Sequence, residues 1–239
     1  MERTTIEWTE CSWNPVTGCS KISAGCEHCY AERMAKRLKA MGQSRYQNGF
    51  NVTLHEDIID LPLHWRAPRS IFVNSMSDLF HDEVPDSFID SIVKTIRKAN
   101  WHNFQLLTKR AERLLAIDRV VEWPNNAIIG VTVEHRNTQD RIEVLRSTKA
   151  PCKFISFEPL IGPVGTINLR GINWVIVGGE SGPGARPMEE AWALDIKHQA
   201  ESLGIPFFFK QWGGFFKKRR GRVLEGREWN GRPKELLRA

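Results

Sequence analysis

Asn103–Val133 reads NFQLLTKRAERLLAIDRVVEWPNNAIIGVTV. Its ends, Asn103–Thr108 and Ala127–Val133, are short apolar runs of the kind that form strands buried on both faces. Between them the residues over Ala111–Val121 predict a helix. Strand, helix, strand in a stretch this short predicts two parallel strands joined by a crossover.

The same alternation extends outward in both directions. Upstream, Ser70–Ser75 (SIFVNS) predicts a strand, MSDLFHDEVP a loop and Asp86–Ala99 a helix. Downstream come a helix from about Thr138 to Arg146, strands at Lys153–Phe157 and Trp174–Val177 across a Gly/Pro-rich connection, a helix over Glu189–Leu203 stopped by Gly204, and a last strand at Pro206–Phe209. With a first strand near Ser12–Val16 and a helix from Tyr30 to Met41 that ends at Gly42, about seven β units are expected. The class is therefore α/β: a full or partial (β/α) barrel, TIM-like, with an open doubly wound sheet as the alternative. No break in composition divides the chain, so one barrel domain over residues 1–212 and a basic appendage over 213–239 are expected.

At 239 residues and 41% hydrophobic content the chain is ample for one such core. No stretch approaches the roughly 18 apolar residues of a membrane span, and the N-terminus MERTTIEWTE is no signal peptide. A cytoplasmic protein with no membrane partner is expected. The net charge of +6 permits a polyanionic partner. Much of the excess lies in Lys217, Lys218, Arg219, Arg220 and Arg222, behind Phe215 and Phe216; basic residues beside aromatics grip phosphates and stack bases, or else form a solvated loop.

Five cysteines are too few and too clustered for a disulfide framework. Cys19, Cys26 and Cys29 stand at C-x6-C-x2-C ahead of a helix rich in Arg and Lys. Three thiolates leave a metal centre with one open position, whereas a structural zinc takes four protein ligands. Cys152 opens an apolar run and is expected to be buried; Cys11 is a candidate fourth ligand that falls outside the cluster.

In a barrel, chemistry sits where strands end. Asn74, Ser75 and Asp78 follow one predicted strand, and Lys109 with Arg110 the next; Glu134, Glu158, then Glu180 with Ser181, and Lys210 with Gln211 follow the others. These groups are expected to converge on one mouth, either as a reactive pocket or as a ring of ion pairs closing the barrel. Gly178 and Gly179 precede Glu180 in a glycine-rich loop whose backbone could approach an anion, although neither a P-loop nor a dinucleotide fingerprint is present. No histidine pair has H-x3-H spacing; His28, between two cysteines, is the one of interest.

The segments WNPVTGC, CYAERMAKRL, SMSDLFHD, LLTKR, GVTVE, ISFEPL, VGGESGPGARP and FFFKQWGG together resemble a phage-associated family of uncharacterised three-cysteine proteins. That family is in turn similar to radical S-adenosylmethionine (SAM) enzymes, with a variant cysteine spacing: C-x6-C-x2-C here against the usual C-x3-C-x2-C. The resemblance implies a [4Fe–4S] cluster on Cys19, Cys26 and Cys29, SAM as cofactor, an electron donor as partner, and a nucleic acid or nucleotide as substrate. Beside it, the strand ends and the glycine-rich loop give His28, Asn74, Ser75, Gly178, Gly179, Glu180 and Ser181 as candidate cofactor contacts, and Asp78, Lys109, Glu134, Glu158 and Lys210 as candidate catalytic groups. His28 stands where the usual pattern has an aromatic residue, and Gly178-Gly179-Glu180 follows a late strand instead of the second. Two other readings stay open: a zinc module for nucleic-acid binding completed by His28 or Cys11, and a hydrolase or nuclease holding a divalent metal on Asp78, Glu134, Glu158 and Glu180.

Overall fold

The computed structural model describes residues 2–4, 6–216, 220–234 and 236. Its centre is an eight-stranded sheet. A short edge strand β1 (Glu2–Arg3) runs antiparallel to β2 (Cys11–Trp13). The hairpin β3 (Val16–Thr17) and β4 (Thr53–Leu54) lies outside that sheet. From β2 the sheet is wholly parallel through β5 (Ser70–Val73), β6 (Asn103–Thr108), β7 (Ala127–Thr132), β8 (Cys152–Phe157), β9 (Trp174–Gly178) and β10 (Phe207–Gln211).

Strand order follows chain order without reversal. A doubly wound sheet reverses its order at a switch point, so that alternative is excluded. No ladder joins β10 to β2, so the seven parallel strands form a partial (β/α) barrel. Two predicted ends move. The first strand starts at Cys11 and stops at Trp13, and the last runs on through Gln211, placing Lys210 and Gln211 inside it.

Among the described residues five α-helices accompany the strands: α1 (Tyr30–Ala40), α2 (Asp86–Lys98), α3 (Ala111–Asp118), α4 (Asp140–Ser147) and α5 (Glu190–Ser202). Helix α2 shows why they form. Phe88, Ile89, Ile92, Val93 and Ile96 recur at helical spacing and are buried, while Asp86 in the first turn and Arg97 and Lys98 in the last complement the helix dipole. Residues of α2, α3, α4 and α5 share the main core with Ile71, Val73, Leu106, Ile129, Ile155, Val177 and Phe209. Because side chains alternate along a strand, the intervening residues face the other way. Phe72, Ile128, Phe154, Trp174, Ile176 and Phe208 make a second, aromatic cluster with Trp8. Gly130 is part of that fit, since a Cβ there would stand 2.4 Å from the Phe154 ring.

Among the described residues of the stretch expected as an appendage, 222–234 and 236 are packed against the barrel. β11 (Val223–Leu224) and β12 (Arg227–Glu228) form a hairpin that buries Leu224; Asn230 bridges to Phe208, and Leu236 joins the aromatic cluster. Apolar residues at 224, 229 and 236, diluted among glycines and charges, do this. Lys217, Lys218 and Arg219 lie outside the described residues. No helix among the described residues is long and apolar enough to cross a membrane.

Candidate functional site

The carboxyl ends of the parallel strands open on a cavity of about 280 Å³. Phe72 and Leu107, which belong to or pack against the aromatic cluster, form part of its floor. Cys19, Cys26 and Cys29 all line it, as do His28, Asn74, Ser75, Asp78, Lys109, Glu158, Gly179, Glu180 and Ser181. Glu134, Gly178 and Lys210 do not; they stand one layer behind.

The cysteine loop is clamped from four strands. Beyond β5, His81 Nε2 lies 2.7 Å from Ser20 Oγ. Beyond β6, Arg110 donates to Ser20 O and Oγ (3.2 and 2.9 Å) and to Cys19 Sγ (3.5 Å). Past β7, Glu134 accepts from Ser23 Oγ at 2.5 Å, and Gly25 lies so close that a Cβ would stand 2.5 Å from Glu134 Cγ. Past β9, Glu180 faces His28 Nδ1 at 3.1 Å and binds Arg186, whose guanidinium also donates to Ala24 O (2.8 Å) and Glu27 (3.1 Å). Arg33 of α1 completes the contact by donating to Ser181 O and Pro183 O.

Each predicted catalytic carboxylate has its own cation. Asp78 pairs with Arg110 at 3.2 Å, Glu134 with Arg141 at 2.9 Å, Glu158 with Lys210 at 2.6 Å and Glu180 with Arg186 at 2.6 Å. Asp78 also accepts from Thr108 Oγ1 and from the amides of Phe80 and Lys109. The Lys210–Glu158 bridge crosses over β9 at Gly178, where a Cβ would stand 3.4 Å from both side chains. Carboxylates so occupied are not gathered around a shared divalent ion, and among the described residues no three His, Cys, Asp or Glu donors are grouped to hold one ion.

Glycine does not serve here as expected. The Gly179 amide donates to Gln211 O and the Gly182 amide to Gly214 O, so neither is offered to an anion. A Cβ on Gly179 would stand 2.1 Å from Trp212 O; close backbone packing requires this glycine. Asn74, at φ 60°, is 3% exposed; its Oδ1 accepts from Val16 N, but its Nδ2 has no partner. Lys109 forms no ion pair with a described carboxylate. Among the described residues Lys109 is thus a cavity cation without an ion pair, and the Asn74 amide a buried donor without a partner.

Electrostatics separates the thiols. Burial pushes Cys19 up to about 11, with Asp78 adding to the effect and Arg110 opposing it. Burial also acts on Cys26, yet the Lys109 charge and hydrogen bonds from Ile22 and Ser23 outweigh it and lower this thiol. Glu180 is held at about 2: burial opposes ionisation, but hydrogen bonds from Arg186 and His28 prevail.

A zinc ion and an iron–sulfur cluster ask different things of three thiols. One tetrahedral zinc draws its sulfurs to within about 4 Å of each other, whereas a four-iron cluster gives each cysteine its own iron. Of the two suggested fourth zinc ligands only His28 lines the cavity. His28 Nδ1 is engaged by Glu180, and Cys11 lies in β2, fully buried in the main core and away from the cavity. Cys152 is buried in the aromatic cluster, as its sequence context predicts. Sequence reasoning missed Arg141, Arg186, Arg33, Ser20 and Ser23; an arginine in the G-P-G-A-R-P segment was the one legible signal among them.

Over residues 3–235 the chain matches the family described as Protein of unknown function (DUF5131), and it belongs to that family. No curated protein matches it. No solved structure matches it either.

Proposed function

We propose that this chain is a radical-SAM-type iron–sulfur enzyme of the cytoplasm, with Cys19, Cys26 and Cys29 holding a [4Fe–4S] cluster over the mouth of the partial barrel. The observation that carries the reading is that three free thiols line one cavity at the carboxyl ends of parallel strands, on a loop fixed by charged groups from four of them. Three protein ligands leave one iron open to a small molecule.

When bound, the cluster and SAM supply one-electron reductive cleavage of a sulfonium and, through it, hydrogen abstraction from a substrate. The protein's own residues bind and orient. Lys109 neutralises a carboxylate or phosphate, and the Asn74 Nδ2 donor offers a second contact to it. Glu158, partly exposed and steadied by Lys210, accepts from an ammonium or a ribose hydroxyl. Ser75 and Ser181 add hydroxyls at the rim, and the aromatic floor below Phe72 excludes water from that side. A nucleic acid or nucleotide is the substrate class that the basic charge favours.

Anaerobic reconstitution tests the reading. About four irons and four sulfides per chain, lost in Cys19→Ala, Cys26→Ala or Cys29→Ala, together with an EPR signal of the reduced protein that changes on adding SAM, are expected. Stoichiometric zinc with no cluster under the same conditions would overturn it.

A further inference from the structure

The cavity opening has an edge built of exposed rings and cations. Tyr30, the first residue of α1, lines the opening and is 57% exposed. Ser181, also in the lining, pairs in a β-bridge with Gly214; Gly214 N donates to Glu180 O and Gly182 N to Gly214 O. Phe215 and Phe216 follow directly on that bridge, 61% and 63% exposed, with their ring centroids 4.7 Å apart. Arg33 ties α1 to the same loop through Ser181 O and Pro183 O. The first turn of α1, the 180–183 loop and the 214–216 tip therefore lie side by side.

The charge of this edge is one-sided. Helix α1 carries Arg33, Lys36, Arg37 and Lys39 against the single carboxylate of Glu32, and buries only Ala35. Arg33, Lys36 and Arg37 stand three and four residues apart and share a face. Lys36 pairs with Glu32 at 2.6 Å and Arg33 is held by two carbonyls, whereas Arg37 and Lys39 make no ion pair with a described carboxylate. Arg220 reaches the tip, its Cδ 3.6 Å from where a Gly214 Cβ would be. Three large aromatic rings held in water cost free energy unless something covers them, and cations without carboxylates alongside call for a polyanion that also offers flat apolar faces.

We infer that this edge is a docking track for single-stranded nucleic acid, with phosphates along α1 and Arg220 and bases stacked on Tyr30, Phe215 and Phe216. Bases paired within a duplex keep their faces stacked on one another and are not free for such rings, and a cavity of about 280 Å³ is far too small for a duplex. A strand on this track passes the opening and presents one nucleotide to it. That the strand is also the substrate rests on the reaction proposed above; that it binds does not.

The test is fluorescence anisotropy on the full-length, cluster-free protein with labelled oligo(dT) and oligo(rU) of about 15 nucleotides and a duplex of equal length. Either single strand binds more tightly than the duplex, and affinity falls linearly in log–log terms with salt. Phe215→Ala and Phe216→Ala each weaken binding by about 5- to 150-fold, the worth of one stacked base, with an unchanged melting temperature. Arg37→Glu weakens it across sequences and flattens the salt slope by about 1. Preference for the duplex, or full affinity in the Phe215→Ala/Phe216→Ala double variant, overturns the inference. So does binding to phosphatidylserine vesicles without binding to oligonucleotide, which would make the tip a membrane anchor. Because the cluster is absent from this assay, a negative result here leaves the iron count standing, and a failed reconstitution leaves the strand binding standing.

Discussion

Glu180→Gln measures how firmly the charged strand ends hold the cysteine loop. The carboxylate is almost wholly buried and accepts from Arg186 N, Nε and Nη2 at 2.9, 2.9 and 2.6 Å and faces His28 Nδ1 at 3.1 Å. Holding this carboxyl at about 2 in place of 4.5 corresponds to about 3 kcal/mol. The figure is nearer 2 kcal/mol once the partly exposed Arg186 is discounted for solvent screening. A folded-state value below the unfolded one means that the contribution is full above about pH 4.5 and is lost as pH falls from there toward 2. Urea denaturation of the metal-free, reduced protein is the assay, run on wild type and variant from pH 7 down to about pH 3. The variant is expected to lose about 2–3 kcal/mol at pH 7, the gap holding to about pH 5 and shrinking by more than half near pH 3. A gap independent of pH would refute an ionic clamp, and no gap at pH 7 would refute the clamp altogether.

Two further predictions concern the cysteine loop itself. With Cys26 lowered and Cys19 raised to about 11, iodoacetamide at pH 7.5 should label Cys26 ahead of Cys19 by about tenfold or more in peptide maps of the metal-free protein, and Lys109→Met should slow Cys26 selectively. Equal labelling would deny the role given to Lys109. Gly25→Ala drives a methyl into buried Glu134 and should cost about 1–3 kcal/mol in urea melts while lowering iron retention; unchanged stability would mean the loop does not rest on Glu134.

The sheet was legible because both faces of its strands are covered, by helices on one side and by the aromatic cluster on the other. Parallel strands of that kind are written as unbroken apolar runs, and every one from β5 to β10 begins or ends within a residue or two of such a run. The first strand was placed late because CSWNPVT mixes polar residues with Trp13, and only the pairing of Cys11 with Ile71 shows where the ladder starts. The polar groups after the strands were legible as a set, but their partners were not. Arg141 reaches Glu134 from the following helix and Arg186 reaches Glu180 from a returning loop, distances in space that no local pattern encodes. The packed tail escaped notice for a related reason: its few apolar residues have no period and are buried only because β10 leaves them a surface.

The pairings change what chemistry the cavity can support. Four carboxylates at strand ends suggest acid–base catalysis or a divalent metal, yet Glu134 and Glu180 are committed to the cysteine loop, and Asp78 to Arg110, which grips the same loop. Glu158 alone combines partial exposure, a place in the cavity lining and no duty toward that loop, and its partner is a lysine that can leave it charged while a ligand binds. A hydrolase needs at least a proton acceptor and a donor, or a metal, at one point. Beside the thiols and His28, this cavity offers one such carboxylate, one unpaired ammonium in Lys109 and a buried amide donor in Asn74, a set suited to gripping a zwitterionic or phosphorylated ligand. On the function proposed above, the reactive step would fall to a cluster on the three thiols. Glu158→Gln should accordingly weaken ligand binding more than it slows a single turnover of bound ligand, and the opposite pattern, turnover lost with binding intact, would return the acid–base reading to the field.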